Sequence, residues 1–144
     1  MKKMFAIMAT LMIAMTACAD RHEMVQYTDL PAAAQSFVQK YYSVNDVSYV
    51  EQDRDGFNVE YKVYLKNRTE IEFNHQGNLK SIDCQNSSVP EGIVPTIIVS
   101  YVNLHHPDML IVEYHIEHRR LKVELSNGWE LIFDLEGNFL GIDD

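Results

Sequence analysis

Hydrophobic and polar positions follow two rhythms along this chain, and each rhythm occurs twice. Behind Pro31, residues Ala34, Phe37, Val38 and Tyr41 recur at three- and four-residue spacing, the buried stripe of one amphipathic helix whose first turn tolerates proline. Pro90 precedes a similar stripe of Ile93, Ile97, Ile98, Tyr101 and Val102. Pro95 interrupts it, so the second helix is expected to begin near Pro95, or after a short irregular turn, because proline breaks a helix interior.

After each stripe the period changes to two. Phe57, Val59, Tyr61, Val63 and Leu65 alternate with polar residues, and Thr69, Ile71 and Phe73 continue the same side, a pattern that predicts strands with one dry face and one wet face. The matching dry positions later in the chain are Leu110, Val112, Tyr114 and Ile116, then Leu121, Val123 and Leu125, then Trp129, Leu131 and Phe133. Asp53-Arg54-Asp55-Gly56, His75-Gln76-Gly77-Asn78, Ser126-Asn127-Gly128 and Leu135-Glu136-Gly137-Asn138 fall between these runs and supply the Gly and Asn that hairpins need.

The two rhythms are copies. Shifted by sixty positions, Lys62, Val63, Leu65, Asn67, Glu70, Phe73, Gly77, Asn78, Ile82 and Asp83 match Lys122, Val123, Leu125, Asn127, Glu130, Phe133, Gly137, Asn138, Ile142 and Asp143, ten identities in 22 positions. A tandem duplication follows. The expected fold is α+β: two repeats, residues 27–84 and 89–144, each one helix followed by about four antiparallel strands. Both helices lie on one face of the sheet and the other face stays open. The linker Gln85-Asn86-Ser87-Ser88 is too short for independent motion, so the two sheets join edge to edge or pack closely.

The N-terminus changes the address. Lys2 and Lys3 precede an apolar run from Met4 to Ala14 and then Met15-Thr16-Ala17-Cys18, which reads as a secretory signal over residues 1–17 and is too short for a span. The four residues resemble a lipobox, which makes Cys18 the lipidated first residue. Ala17-Cys18-Ala19 also suits an ordinary signal peptidase, which leaves a soluble secreted form open. Cutting 17 residues from the 144 leaves 127, and losing Lys2 and Lys3 takes the net charge from −9 to −11. This charge argues against nucleic acid as a partner, because its binding draws on Lys and Arg; a cationic partner is permitted. With Cys18 acylated, Cys84 is the one thiol left, and it reads as a half-buried small side chain.

Both repeats carry Leu30-Pro31 or Val89-Pro90, a helix ending in Tyr41 or Tyr101, a strand such as Val59-x-Tyr61-x-Val63-x-Leu65, and Phe, Gly-Asn and Ile-Asp at fixed offsets. With the lipobox, this resembles the PepSY-like periplasmic proteins, whose tandem α/β units are similar in shape to the β-lactamase-inhibitor protein. The resemblance implies a secreted, non-catalytic envelope protein of a Gram-negative bacterium. It also implies a role as inhibitor or regulator, since relatives restrain peptidases and the inhibitor binds an enzyme. No inhibitory loop of that protein finds its counterpart here.

Chemistry is thin in the residues themselves. There is no Gly-x-Ser-x-Gly elbow and no cysteine with a catalytic neighbourhood, and no cofactor is implied. Glu70 with Glu72, and Glu113 with Glu117, share strand faces; they are read as a solvated acidic surface in preference to an acid–base pair. Glu113, His115 and Glu117 would hold Zn²⁺ only if another imidazole, such as His105 or His106, reached them. The candidate partner-binding residues are Tyr64, Lys62, Glu113, His115, Lys122 and Ile132, together with Glu60, Glu124 and Tyr49, all at wet positions of mixed charge around a little apolar area. Three readings remain: a module that binds an envelope protein or peptide, a structural lipoprotein without a ligand, and a metal-binding protein.

Overall fold

The computed structural model describes residues 21–143, so the signal segment and Cys18 lie outside the described residues. The described residues begin with a strand that carries no apolar alternation and was not legible in the pattern, β1 (Arg21–Val25). Helix α1 (Ala32–Tyr41) follows Pro31 at its N-terminal boundary, and β2 (Val47–Asp55), β3 (Asn58–Leu65), β4 (Glu70–Asn74) and β5 (Leu79–Asp83) come next. Helix α2 (Thr96–His105) then begins directly after Pro95, as the proline requires. Strands β6 (Ile111–Ile116), β7 (Leu121–Leu125), β8 (Glu130–Phe133) and β9 (Phe139–Asp143) complete the chain. No described helix is long and apolar enough to cross a membrane.

The nine strands form one antiparallel sheet in sequence order, β1 to β9. The edge-to-edge alternative is therefore the one realised. β5 pairs with β6 through Ile82 opposite Tyr114, so the polar linker with α2 crosses from one strand to its neighbour. A sheet of this width buries its dry face by joining Ala34 and Val38 of α1, Ile98 and Val102 of α2, and Val50, Val63, Ile71, Phe73, Ile82, Val123, Leu131 and Phe133 in a single cluster. Phe37 meets Phe73 edge-on with ring centroids 5.5 Å apart, and Tyr101 meets Phe133 in the same way at 5.4 Å. Two of the hairpin turns tuck their Gly against a helix, Gly77 at the start of α1 and Gly137 beneath Ile97 of α2. At Gly77, φ is +86° and a Cβ would fall 2.8 Å from the Ala34 backbone nitrogen, so both the conformation and the space demand glycine.

Five dry-face expectations fail at the ends of elements. Phe57 is fully exposed, because it sits in the β2–β3 turn beyond the reach of α1. Leu110 and Trp129 precede β6 and β8, and Ile116 is the last residue of β6, so each overhangs the helix-covered area and is exposed. Ile97 faces solvent in the first turn of α2 while Ile98 and Val102 point inward. Cys84 is fully buried rather than half-buried, and its thiol lies 3.8 Å from the Tyr42 hydroxyl. Burial pushes both groups up, the thiol and the phenol.

Candidate functional site

Strand register decides which polar residues meet. Across the face opposite the buried cluster, one row runs Glu51, Lys62, Glu72, Ser81, His115, Lys122, Ile132 and Gly141. The adjacent row runs Tyr49, Tyr64, Glu70, Asp83, Glu113, Glu124, Glu130 and Asp143. Residues paired across strands stand on the same face, so Tyr64, Lys62, Glu113, His115, Lys122 and Ile132 all share it. Glu60 and Tyr49 lie there too.

The second row holds six carboxylates on six consecutive strands, Glu70, Asp83, Glu113, Glu124, Glu130 and Asp143. Sequence spacing gave no sign of this alignment, because Glu70 and Asp143 are brought into one line only by the register across five connections. Like charges directly opposite one another oppose pairing, so the face needs cations. Lys62 supplies one, 2.8 Å from Glu72 and 3.7 Å from Glu70. Lys122 bridges Glu130 at 2.9 Å and Glu117 at 3.2 Å, and Lys80 holds Glu60 at 2.6 Å. Glu124 is left facing acids: burial raises its carboxyl, and Glu113, Asp83 and Glu130 raise it further.

His115 reaches back along its own strand to Glu113 and forms an ion pair with it. The hydrogen bond to Glu113 raises the imidazole above its ordinary 6.5, and the same bond holds the Glu113 carboxyl below its ordinary 4.5. A raised histidine stabilises the fold below 6.5 and loses that contribution as pH climbs through its folded value. A lowered glutamate stabilises above 4.5 and loses the contribution as pH falls. Both contributions coexist between pH 4.5 and 6.5. The stability difference between the native chain and His115→Gln, measured by urea unfolding, should therefore peak in that window and shrink toward pH 8, staying under about 1 kcal/mol because the pair is half-exposed. A difference that does not vary with pH would mean the pair is not formed.

At the other end of the row the polar face turns aromatic. Tyr49 and Tyr64 stack with centroids 4.3 Å apart and planes 19° from parallel, the Tyr64 hydroxyl donates to Glu51 at 3.1 Å, and Lys62 Nζ lies 5.9 Å from the Tyr64 ring. Burial and the Glu51 carboxylate push the Tyr64 phenol up to about 12. A shallow cleft of about 150 Å³ opens beside this pair, lined in part by Glu51, Glu60, Lys62 and Tyr64, and another of about 240 Å³ lies among Glu113, His115, Lys122, Glu124 and Glu130. Ile132 is half-buried between them and the β9 edge.

Other sequence candidates do not converge. His105 lies against Tyr101 and His106 against Trp129, so neither completes a set with His115. Among the described residues no three His, Cys, Asp or Glu side chains are gathered to hold a metal ion. Glu70 and Glu72 both lie against the Lys62 ammonium.

Comparison with known proteins follows the geometry. The sequence family described as "Putative beta-lactamase-inhibitor-like, PepSY-like" matches residues 15–62 and 59–141. A "putative periplasmic protein" of the DUF2874 family from Bacteroides vulgatus ATCC 8482 has 32% identity and a TM-score of 0.82, covering 88% of this chain and 99% of its own. A "putative calcium-regulated periplasmic protein" from Bacteroides thetaiotaomicron also has 32% identity and a TM-score of 0.82, covering 85% of this chain and 97% of its own. No curated protein matches the chain.

Proposed function

The chain belongs to the beta-lactamase-inhibitor-like, PepSY-like family, and from that premise we propose that it is a non-catalytic periplasmic binding module. Its partner is an envelope protein or peptide with a cationic segment, held on the polar face of the sheet, and the outcome of binding is inhibition or regulation of that partner. The six-carboxylate row carries the reading. Beside it, Lys62 and Lys122 already have carboxylate partners, which leaves the acids in excess, and a basic segment laid across the strands would complement them.

The duplicated plan supports the same reading. Residues 27–84 and 89–144 form two copies of a helix and four strands, with both helices on one face and the other face left open for a partner. Periplasmic placement agrees with the descriptions of the Bacteroides neighbours; calcium regulation stays with the neighbour so described. A non-enzymatic role agrees with the family description and with a Cys84 thiol that is buried beside the Tyr42 phenol. Anchoring through a lipid on Cys18 completes the proposal. Labelled fatty acid should then enter the protein, and Cys18→Ala should move it from the membrane fraction to the soluble fraction; an unlabelled protein that is soluble without mutation excludes the anchor.

The binding test is capture of a partner from the native envelope, followed by titration of the purified complex. Tyr64→Ala should weaken it by about tenfold or more and Ile132→Ala by less, because buried aromatic anchors dominate interface energy. Glu113→Lys with Glu117→Lys should chiefly slow association and flatten its salt dependence. Under the structural-lipoprotein alternative no captured complex responds to these changes. A complex that ignores them but responds to the loop His105–Asp108 would move the binding site away from this face.

A further inference from the structure

The two edges of the sheet are built differently. β1 presents Arg21, His22 and Glu23 at one end, charges of the kind that keep an unpaired strand from joining another chain. β9 reads Phe-Leu-Gly-Ile-Asp at the other end, and Phe139, Leu140 and Ile142 are 37%, 57% and 45% exposed. It carries neither Lys nor Pro, and among the described residues no strand lies beyond it. Three exposed apolar residues in a five-residue edge strand are a template for strand pairing.

The molecule contains the same edge in its covered state. β5 corresponds to β9, with the same Ile-Asp ending and the same irregularity of register, opposite Glu72/Phe73 in one case and Ile132/Phe133 in the other. Strand β6 lies along β5 and sets His115, Tyr114 and Glu113 against Ser81, Ile82 and Asp83. The Cys84 N–H donates to the Val112 carbonyl at 2.9 Å, so by antiparallel alternation the N–H and C=O of Ile82 also face β6. The same groups of Ile142 therefore face outward from β8. Ile82 is 0% exposed under Tyr114, whereas Ile142, its counterpart, is 45% exposed.

We infer that β9 is a strand-addition site, which accepts an antiparallel extended segment of a partner protein carrying an apolar or aromatic residue opposite Ile142 and a Lys or Arg opposite Asp143. The apolar requirement comes from Tyr114, which shows what covers an Ile at this position. The cation comes from charge: Asp143 ends the carboxylate row beside Glu130, and another acid opposite it would meet like charge on both sides. Gly141 lacks a side chain, and nothing lies within 4 Å of where its Cβ would be. A bulky residue opposite Gly141 has room to lie over it toward Ile132, its cross-strand neighbour. A second copy of this chain is the weaker occupant, because a β9–β9 pairing offers Asp143 only the uncharged Phe139, Leu140 and Gly141, or acids. The site adjoins the polar face through Asp143, but the backbone pairing along β9 does not require a partner on that face.

The probe is a capped synthetic peptide that reproduces Leu110–Glu117 with Glu113→Lys, titrated into the isotope-labelled chain that starts at Cys18, with Cys18→Ala to keep it soluble. One peptide should bind per chain and slow amide exchange at Ile142. It should bind about tenfold more tightly than the peptide with Glu113 retained, and Asp143→Lys in the protein should reverse that order. N-methylation of the peptide amide at the Tyr114 position removes a ladder hydrogen bond and should weaken binding by about tenfold or more, as should Ile142→Lys at unchanged melting temperature. Tyr64→Ala should leave this binding intact, which separates it from the polar face. The inference is overturned if no peptide binds, or if binding is indifferent to N-methylation and to Ile142→Lys. It is equally overturned if sedimentation shows a dimer that Ile142→Lys dissolves, since the edge then belongs to a second copy.

Discussion

Phe73→Ala and Phe133→Ala each lower the unfolding free energy by about 3–5 kcal/mol, the usual cost of removing a buried ring and leaving a cavity. Both rings are fully buried, and both occupy the same position in their hairpins, just before the turn that tucks under a helix. Their surroundings differ in one respect. Phe73 has Phe37 as its aromatic neighbour, while Phe133 touches Tyr101 and also Phe139 of the edge strand, at 5.4 and 5.7 Å. Losses of this size take a large share of the total stability of a small domain, about 5–15 kcal/mol. Urea unfolding of the signal-free chain measures them, with Phe57→Ala as the control. Phe57 is fully exposed, so its loss should stay within about 0.5 kcal/mol. A cost below about 1 kcal/mol at both buried sites would contradict their placement.

Gly77→Ala should cost about 3 kcal/mol, whereas Gly128→Ala should cost about 1 kcal/mol. Both glycines have φ of +86°, so the backbone strain of an alanine is shared. What differs is space. A Cβ at Gly128 meets nothing within 4 Å, but at Gly77 it falls 2.8 Å from the Ala34 nitrogen and 2.9 Å from the Pro31 Cβ, at the start of α1. Neither neighbour is the end of a flexible side chain, so the hairpin or the helix must shift. The difference between the two costs, read from paired unfolding curves, isolates the packing of the β4–β5 turn beneath α1. Equal costs would mean that this turn and the helix are not in contact.

Periodicity was a good guide where an element is both long and covered. The three- and four-residue stripe located α1, Pro95 located the start of α2, and strict alternation located β3, β4, β7 and β8, because burial on one face imposes those periods. It failed at element ends. Phe57, Leu110, Ile116 and Trp129 continue the alternation past the area that a helix covers, and nothing in a period says where the cover stops. β1 was missed for the opposite reason: as a charged edge strand it has no apolar alternation to read.

The candidate face was legible as a set and not as a geometry. Alternation was enough to say that Tyr64, Lys62, Glu113, His115, Lys122 and Ile132 share a side. It could not say that Tyr64 stacks on Tyr49, that His115 turns to Glu113, or that Glu124 is boxed in by other acids. Those relations depend on which residue stands opposite which, and register is set by hairpin length and bulges acting together.

The amino-acid sequence alone determined the ten identities at a sixty-residue offset, the order of helix and strands, the side of most strands that would be dry, and the acidity of the whole, because all four follow from local composition and spacing. Tertiary structure decided that all nine strands join through the β5–β6 pairing into one sheet, that six carboxylates from six strands fall into a single row, and that β9 is left as an apolar edge where β5 is covered. The physical reason is the same in each case: these are consequences of pairing between segments distant along the chain, and a period-two strand carries no record of its neighbour until backbone hydrogen bonds choose one.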